Sequence, residues 1–212
     1  MNKRKILTIT LSILLMAGIT FVNGNIVNAK NNIKSTSSDN GNIENLQLTP
    51  EIIKESNEKT GEMKPNTTET VNLSNGMQVV TEYKVTPIHK KRLPRANSFT
   101  HDATVTFTKK FFYRGRSRCT FTARPLCTFS RYNTDVVIKR WSNDRFYIRV
   151  FNGSYSNKKT AIIQKYAGSS GSAKIRGSAT LKANGFAVSS VDDVSLFVNI
   201  KANGNASGYI QR

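Results

Sequence analysis

The sequence predicts an all-β fold, an antiparallel β-sandwich or small barrel over about residues 95–212, preceded by a signal peptide and a mostly irregular pro-segment. Short segments in which apolar and polar residues alternate recur through this region. Turn signals such as Asn152-Gly153 separate them at intervals of roughly eight to twelve residues. The region also holds ten of the 11 Phe and the single Trp, and none of it has helical periodicity.

The clearest predicted strand covers residues 145–151, where Phe146, Ile148 and Val150 share one face. A hairpin is predicted around Pro125, between two β-prone segments. The predicted strands together cover 104–108, 110–113, 119–122, 126–132, 136–141, 145–151, 160–166, 174–182, 186–190, 194–201 and 209–210.

Residues 1–29 have the pattern of a secretory signal peptide, which predicts an extracellular protein. A basic start (Lys3, Arg4 and Lys5) precedes the apolar run 6–22. Small residues ending at Ala29 then place the cleavage site before Lys30. The alternative is a retained membrane anchor, but several Thr, Ser and Gly residues weaken the run in that role.

Residues 30–94 are poor in core-forming residues, which predicts a weakly structured pro-segment or linker. Two elements are predicted inside it. Thr49-Pro50-Glu51 has the pattern of a helix start, with a short helix to about Lys59. Alternation over 77–85, after the turn signal Asn75-Gly76, predicts a strand. The sequence does not decide whether this strand joins the main sheet.

The charge is strongly basic and unevenly distributed. The chain has 32 Lys and Arg against 13 Asp and Glu, a formal net charge of +19. Residues 95–212 carry twenty Lys and Arg against five Asp, or about +15. At the junction, Lys91, Arg92 and Arg95 form a run that suits a trypsin- or subtilisin-like maturation protease. The alternative is a basic linker that is never cut.

The two cysteines, Cys119 and Cys127, predict one intramolecular disulfide, because an exported chain enters an oxidising compartment. The alternatives are two free thiols or a metal site. With no His nearby, a metal site is disfavoured, and we expect no metal or cofactor.

Catalytic signals are weak, and the chain is predicted not to be an enzyme. His101 adjoins Asp102, but sequence neighbours rarely orient each other as a dyad. Asp192 and Asp193 are adjacent in a connection, where Asp favours local hydrogen bonding. No Gly-rich phosphate loop, nucleophile elbow or metal motif is present, so a hydrolase is the minor alternative.

Basic residues are interleaved with aromatic residues from Lys109 onward, which predicts an anionic-surface binding site. Arg provides forked donors for phosphate or carboxylate groups. The outward row Lys174, Arg176 and Lys182 on a further strand adds charge. The residues predicted to bind are Arg114, Arg116, Arg118, Arg124, Arg131, Lys139, Arg140, Arg145 and Arg149.

Two functions follow from this layout. The first is a secreted antibacterial or toxin-like protein that binds anionic cell-envelope polymer or lipid surfaces after loss of its pro-segment, and nucleic acid nonspecifically. The second is an extracellular matrix or cell-wall binding module for anionic polymer, polysaccharide or nucleic acid, without toxic activity. The cleavable leader favours the first, and a β-sandwich by itself does not choose between them.

Overall fold

In the computed structural model of the protein, antiparallel strands make up 66% of the described residues, and helix makes up 9%. The structure describes residues 48–88, 100–130, 132–183 and 192–212. One α-helix, α1 (Pro50–Lys59), comes first. The strands are β1 (Thr67–Asn72), β2 (Gln78–Pro87), β3 (Thr100–Tyr113), β4 (Arg116–Ala123), β5 (Leu126–Ser130), β6 (Val136–Arg140), β7 (Phe146–Val150), β8 (Gly153–Gln164), β9 (Tyr166–Ala167), β10 (Ser172–Ala183), β11 (Asp192–Lys201) and β12 (Ala206–Gln211).

The strands form two antiparallel sheets and no closed barrel. The large sheet contains β1 to β7 and β9, with the order β1-β2-β3-β5-β6-β9 and with β4 pairing both β3 and β7. The small sheet has the order β12-β11-β10-β8. Buried apolar residues from both sheets form one core. The structure is therefore consistent with a β-sandwich, which is one of the two architectures that the sequence predicted.

The predicted hairpin around Pro125 is instead a kink in one continuous path. β4 and β5 both pair with β3, at successive positions along it: Ala123 of β4 pairs with Phe107, and Leu126 of β5 pairs with Thr104. Only Arg124 and Pro125 separate them. Proline has no N–H to donate, so the ladder is interrupted without the chain reversing.

The N-terminal part of the described chain is more ordered than its composition suggested. Thr49 caps α1 by accepting a hydrogen bond from the Ile52 N–H, as the sequence predicted. The strand predicted over 77–85 is β2, and it pairs with β3 from Gln78 opposite Phe112 to Pro87 opposite Ala103. The description of 30–94 as mostly irregular therefore does not hold for 48–88, because this segment supplies a helix and two strands of the large sheet.

This N-terminal segment also covers the edge of the small sheet. The Asn57 side chain accepts from the Ile210 N–H and donates to the Ile210 carbonyl on β12. Met63 and Ala206 exchange two backbone hydrogen bonds beside it. An open strand edge is a template for aggregation, so these contacts protect β12 as well as attaching α1.

Two glycines of the small sheet face aromatic rings of the large sheet at short range. A Cβ atom on Gly208 of β12 would lie 2.3 Å from the Phe107 ring of β3, and one on Gly177 of β10 would lie 2.7 Å from the Phe146 ring of β7. Trp141 also joins the sheets, because its indole N–H donates to the Arg176 carbonyl. The glycines are therefore the positions where rings from the large sheet contact the backbone of the small sheet.

The predicted disulfide is not formed, and both cysteines are free and buried. Cys119 pairs with Phe111 on β3, while Cys127 pairs with Ala103. These partners are eight residues apart on an extended strand, or about 27 Å. A disulfide needs Cα atoms within about 7 Å, so the kinked path of β4 and β5 keeps the thiols apart. Burial raises the pKa of both thiols to about 12.

Candidate anion-binding surface

The exposed side chains of β7 form a basic and aromatic surface on the outer face of the large sheet. Phe146 and Ile148 point into the core, so Tyr147 and Arg149 point outward. Across the strand, Tyr147 is paired with Thr122 and Arg149 with Thr120 of β4. These threonine neighbours are short, so the two long side chains project beyond them.

Two further arginines lie beside Tyr147. The guanidinium of Arg124 lies 4.9 Å from the Tyr147 ring centroid, within cation–π range. Arg124 donates its backbone N–H to the Arg145 carbonyl at 2.9 Å, and the Arg145 side chain donates back to the Arg124 carbonyl at 3.0 Å. The backbone bond continues the β4–β7 pairing one residue beyond Ala123 and Phe146, and so brings Arg124 against Arg145. We call Arg124, Arg145, Tyr147 and Arg149 the arginine–tyrosine cluster.

The cluster has an excess of positive charge. Among the ion pairs of the described residues, none involves Arg124, Arg145 or Arg149. The nearby Arg140 differs, since it is 3.2 Å from the Asp144 carboxylate. Guanidinium groups bind phosphate and carboxylate through forked hydrogen bonds. Chemically, the cluster can hold anionic groups of an extended ligand on an open sheet.

The structure separates the other predicted binding residues from the cluster. Arg114 lies in the β3–β4 turn and Arg116 directly after it, about 25 Å along β4 from Arg124. Arg118 is half-buried, with its guanidinium 4.9 Å from the Phe151 ring. The four arginines expected to crowd around a short loop therefore lie at two ends of a strand. Lys139 is exposed on β6.

Several predicted positions lie outside the described residues. They are the binding residue Arg131 and the processing residues Ala29, Lys30, Lys91, Arg92 and Arg95. The predicted signal peptide, residues 1–29, and the strand predicted over 186–190 also lie outside them.

One basic residue of the interleaved region is a core residue. Lys109 points inward between Phe107 and Phe111 and is fully buried. Its ammonium group donates to the Thr60 hydroxyl and the Asn57 side chain at 3.1 Å each, and to the Ser56 carbonyl at 3.4 Å, all at the end of α1. Burial lowers its pKa from 10.5 to about 8. In the sequence, Lys109 alternates with Phe107 and Phe111 on one face of a strand, and this pattern indicates that Lys109 points inward.

The residues weighed for catalysis have separate local roles. His101 stacks on Phe129, and Asp102 accepts a hydrogen bond from the Thr128 hydroxyl. Asp192 pairs with Arg212 at 2.6 Å, and Asp193 accepts from Thr180 on the small sheet.

The described ranges contain neither a cluster of metal-binding side chains nor a helix that could span a membrane. No group of three His, Cys, Asp or Glu side chains there is placed to hold a metal ion. No helix in the same ranges is long and apolar enough to cross a membrane.

Comparison of the chain with protein-family models, curated proteins and solved structures finds no match. A functional assignment therefore depends on the chemistry of the surfaces described above.

Proposed function

We propose that the protein is an extracellular binding module for anionic polymer, and that the arginine–tyrosine cluster is its binding site. The observation that carries this proposal is that Arg124 lies over the Tyr147 ring and contacts Arg145, with Arg149 exposed two residues further along β7. None of these three arginines has an ion pair to a described carboxylate. Like charges placed this close repel one another, and an anionic ligand relieves the repulsion.

The shape of the surface favours a polymer over a small molecule. Small-molecule sites are usually concave and bury most of their ligand. The cluster instead lies on an open sheet face, with Arg149 two residues, or about 7 Å, beyond Tyr147 along β7. Phosphate or carboxylate groups repeated along a chain would contact several guanidinium groups at once. Cell-envelope polymers of this chemistry are the ligands we propose.

The binding-module role has more support than the toxin-like role. A toxin activated by loss of residues before 95 would lose α1, β1 and β2. Met77, Val79 and Tyr83 of that segment are fully buried in the shared core, and Tyr83 also donates a hydrogen bond to the Gly204 carbonyl. A segment this integrated fits a permanent part of the domain better than a removable inhibitor.

The test is binding to immobilised linear inorganic polyphosphate at physiological salt. Changing Arg124, Arg145 and Arg149 together to Gln is expected to weaken binding at least about tenfold and to lower its salt dependence. The matched control changes three exposed cations outside the cluster, Lys64, Lys84 and Arg116, to Gln and removes the same charge. Equal weakening in both variants would show that only net charge matters, and would refute the site.

The toxin-like alternative is tested with the same protein. Purified full chain added to Gram-positive and Gram-negative cells is expected to bind their surface without loss of viability. Killing at concentrations that saturate binding would overturn the non-toxic role.

A further inference from the structure

We infer that the outer face of the small sheet is a second polyanion-binding surface, so that one molecule cross-links two polymer strands. This inference rests on the proposed function and adds the number of polymer strands that one molecule can bind. Lys174, Arg176 and Lys182 occupy outward positions of β10, and all three are exposed. Lys159 of β8 is paired with Ser178 and adds a fourth exposed cation between them. We call these four residues the small-sheet row.

The small-sheet row points away from the large sheet. The alternate residues of β10, among them Ile175, Ala179 and Leu181, are buried in the core between the sheets. Side chains on opposite faces of a strand project in opposite directions. Because the arginine–tyrosine cluster occupies the outer face of the large sheet, the two basic surfaces lie on opposite sides of the sandwich.

The row is not neutralised by neighbouring acids. None of its four cations takes part in an ion pair within the described residues. The carboxylate on the same face, Asp193, accepts a hydrogen bond from the Thr180 hydroxyl. Lys201, also on β11, is already paired with Glu62 and is not counted in the row. Four cations against one carboxylate leave an uncompensated positive face.

The spacing of the row suits an extended ligand. Lys174 and Arg176 are two residues apart, about 7 Å, and Lys182 lies about 20 Å beyond Arg176 along the strand. Ser178, Ser195 and Asn199 lie on the same face and can donate hydrogen bonds to ligand oxygens. A linear polyanion lying along β10 would contact all four cations, whereas a single anion would contact one or two.

Two basic surfaces on opposite sides of the sandwich would let one molecule bridge two polymer strands. A strand bound on one sheet leaves the other sheet free, and the body of the sandwich separates the two. The protein would therefore join neighbouring polymer strands and bind a polymer-covered surface with avidity.

The test is a sandwich assay with the full chain. Protein is bound to beads that carry linear polyphosphate. The beads are washed and then incubated with a second, fluorescent polyphosphate chain. Wild type is expected to retain the second chain. Changing Lys159, Lys174, Arg176 and Lys182 to Gln is expected to leave the protein on the beads but to abolish capture of the second chain. The control with Lys64, Lys84 and Arg116 changed to Gln is expected to capture it.

The outcomes separate this inference from the proposed function. If the row variant captures the second chain like wild type, bridging comes from self-association or from net charge, and the inference is wrong. If wild type binds the beads through the cluster but never captures a second chain, the proposed function stands and the inference fails. If wild type does not bind the beads, both fail. Retained sheet circular dichroism confirms that each variant is folded.

Discussion

Replacement of the buried Lys109 by Met is expected to stabilise the protein at neutral pH and to remove a pH dependence. The pKa of Lys109 falls from 10.5 to about 8 on folding. One pKa unit corresponds to about 1.4 kcal/mol, so burial of the charged form costs about 3 kcal/mol below pH 8. Methionine fills a similar space without a charge.

The hydrogen bonds lost with the ammonium group offset part of this gain. Each acceptor keeps another contact, since the Ser56 carbonyl accepts from the Thr60 hydroxyl and the Asn57 side chain accepts from the Ile210 N–H. With about 1 kcal/mol for the lost bonds, Lys109→Met is expected to be about 2 kcal/mol more stable than wild type at pH 7.

The sign of the pH dependence follows from the lowered pKa. Between about pH 8 and 10.5 the unfolded chain holds the Lys109 proton and the folded chain has released it. Wild type therefore gains about 1.4 kcal/mol per pH unit relative to Lys109→Met through this window, so the difference of about 2 kcal/mol is closed and the order of the two proteins reverses at about pH 9.5. Tyr83, Cys119 and Cys127 have raised pKa values and destabilise both proteins equally at high pH, so the difference isolates Lys109.

The measurement is urea unfolding of both proteins from pH 7 to 10.5 under reducing conditions. Lys84→Met is the control, because Lys84 is exposed on β2 and its loss should change stability by less than about 0.5 kcal/mol. A Lys109→Met protein less stable than wild type at pH 7, or a difference that stays constant with pH, would refute the argument.

Two further predictions follow from the fold. Both cysteines are expected to resist alkylation in the native protein and to react fully in denaturant without a reductant, since they are free and buried; an unreduced protein that stays unalkylated in denaturant would mean a disulfide. Trypsin cleavage after Arg92 or Arg95 is expected to leave residues 48–88 bound, because β2 pairs with β3 along its whole length and α1 is tied to β12. The fragments should co-elute in native size-exclusion chromatography and separate in denaturant, and a C-terminal fragment that elutes alone would contradict this.

Local patterns were enough to predict individual elements. The N-cap at Thr49, the strand that became β2 and the alternation along β7 all depend on residues close in sequence. They could be predicted because capping and strand periodicity are short-range effects. The expectation that 30–94 is weakly structured did not hold over 48–88, because low aromatic content does not reveal that a strand will pair with a distant, apolar one.

The candidate site was predicted only in part. Its residues were recognised by type, but the separation of Arg116 from Arg124 and the contact of Arg124 with Arg145 depend on strand register. The spacing of Cys119 and Cys127 in the sequence suggested a short loop between them. The chain instead runs as an extended path from β4 into β5, which places the two ends of this segment about 27 Å apart and keeps the two thiols from bonding.

By itself, the sequence determined the all-β class, the basic charge and the faces of single strands, because these follow from composition and period. Tertiary structure alone decided which faces meet. It buried Lys109 under α1, made residues 48–88 part of the core, and set two basic surfaces on opposite sides. The physical reason is that pairing between distant strands is chosen by the packing of the whole core, which no local window contains.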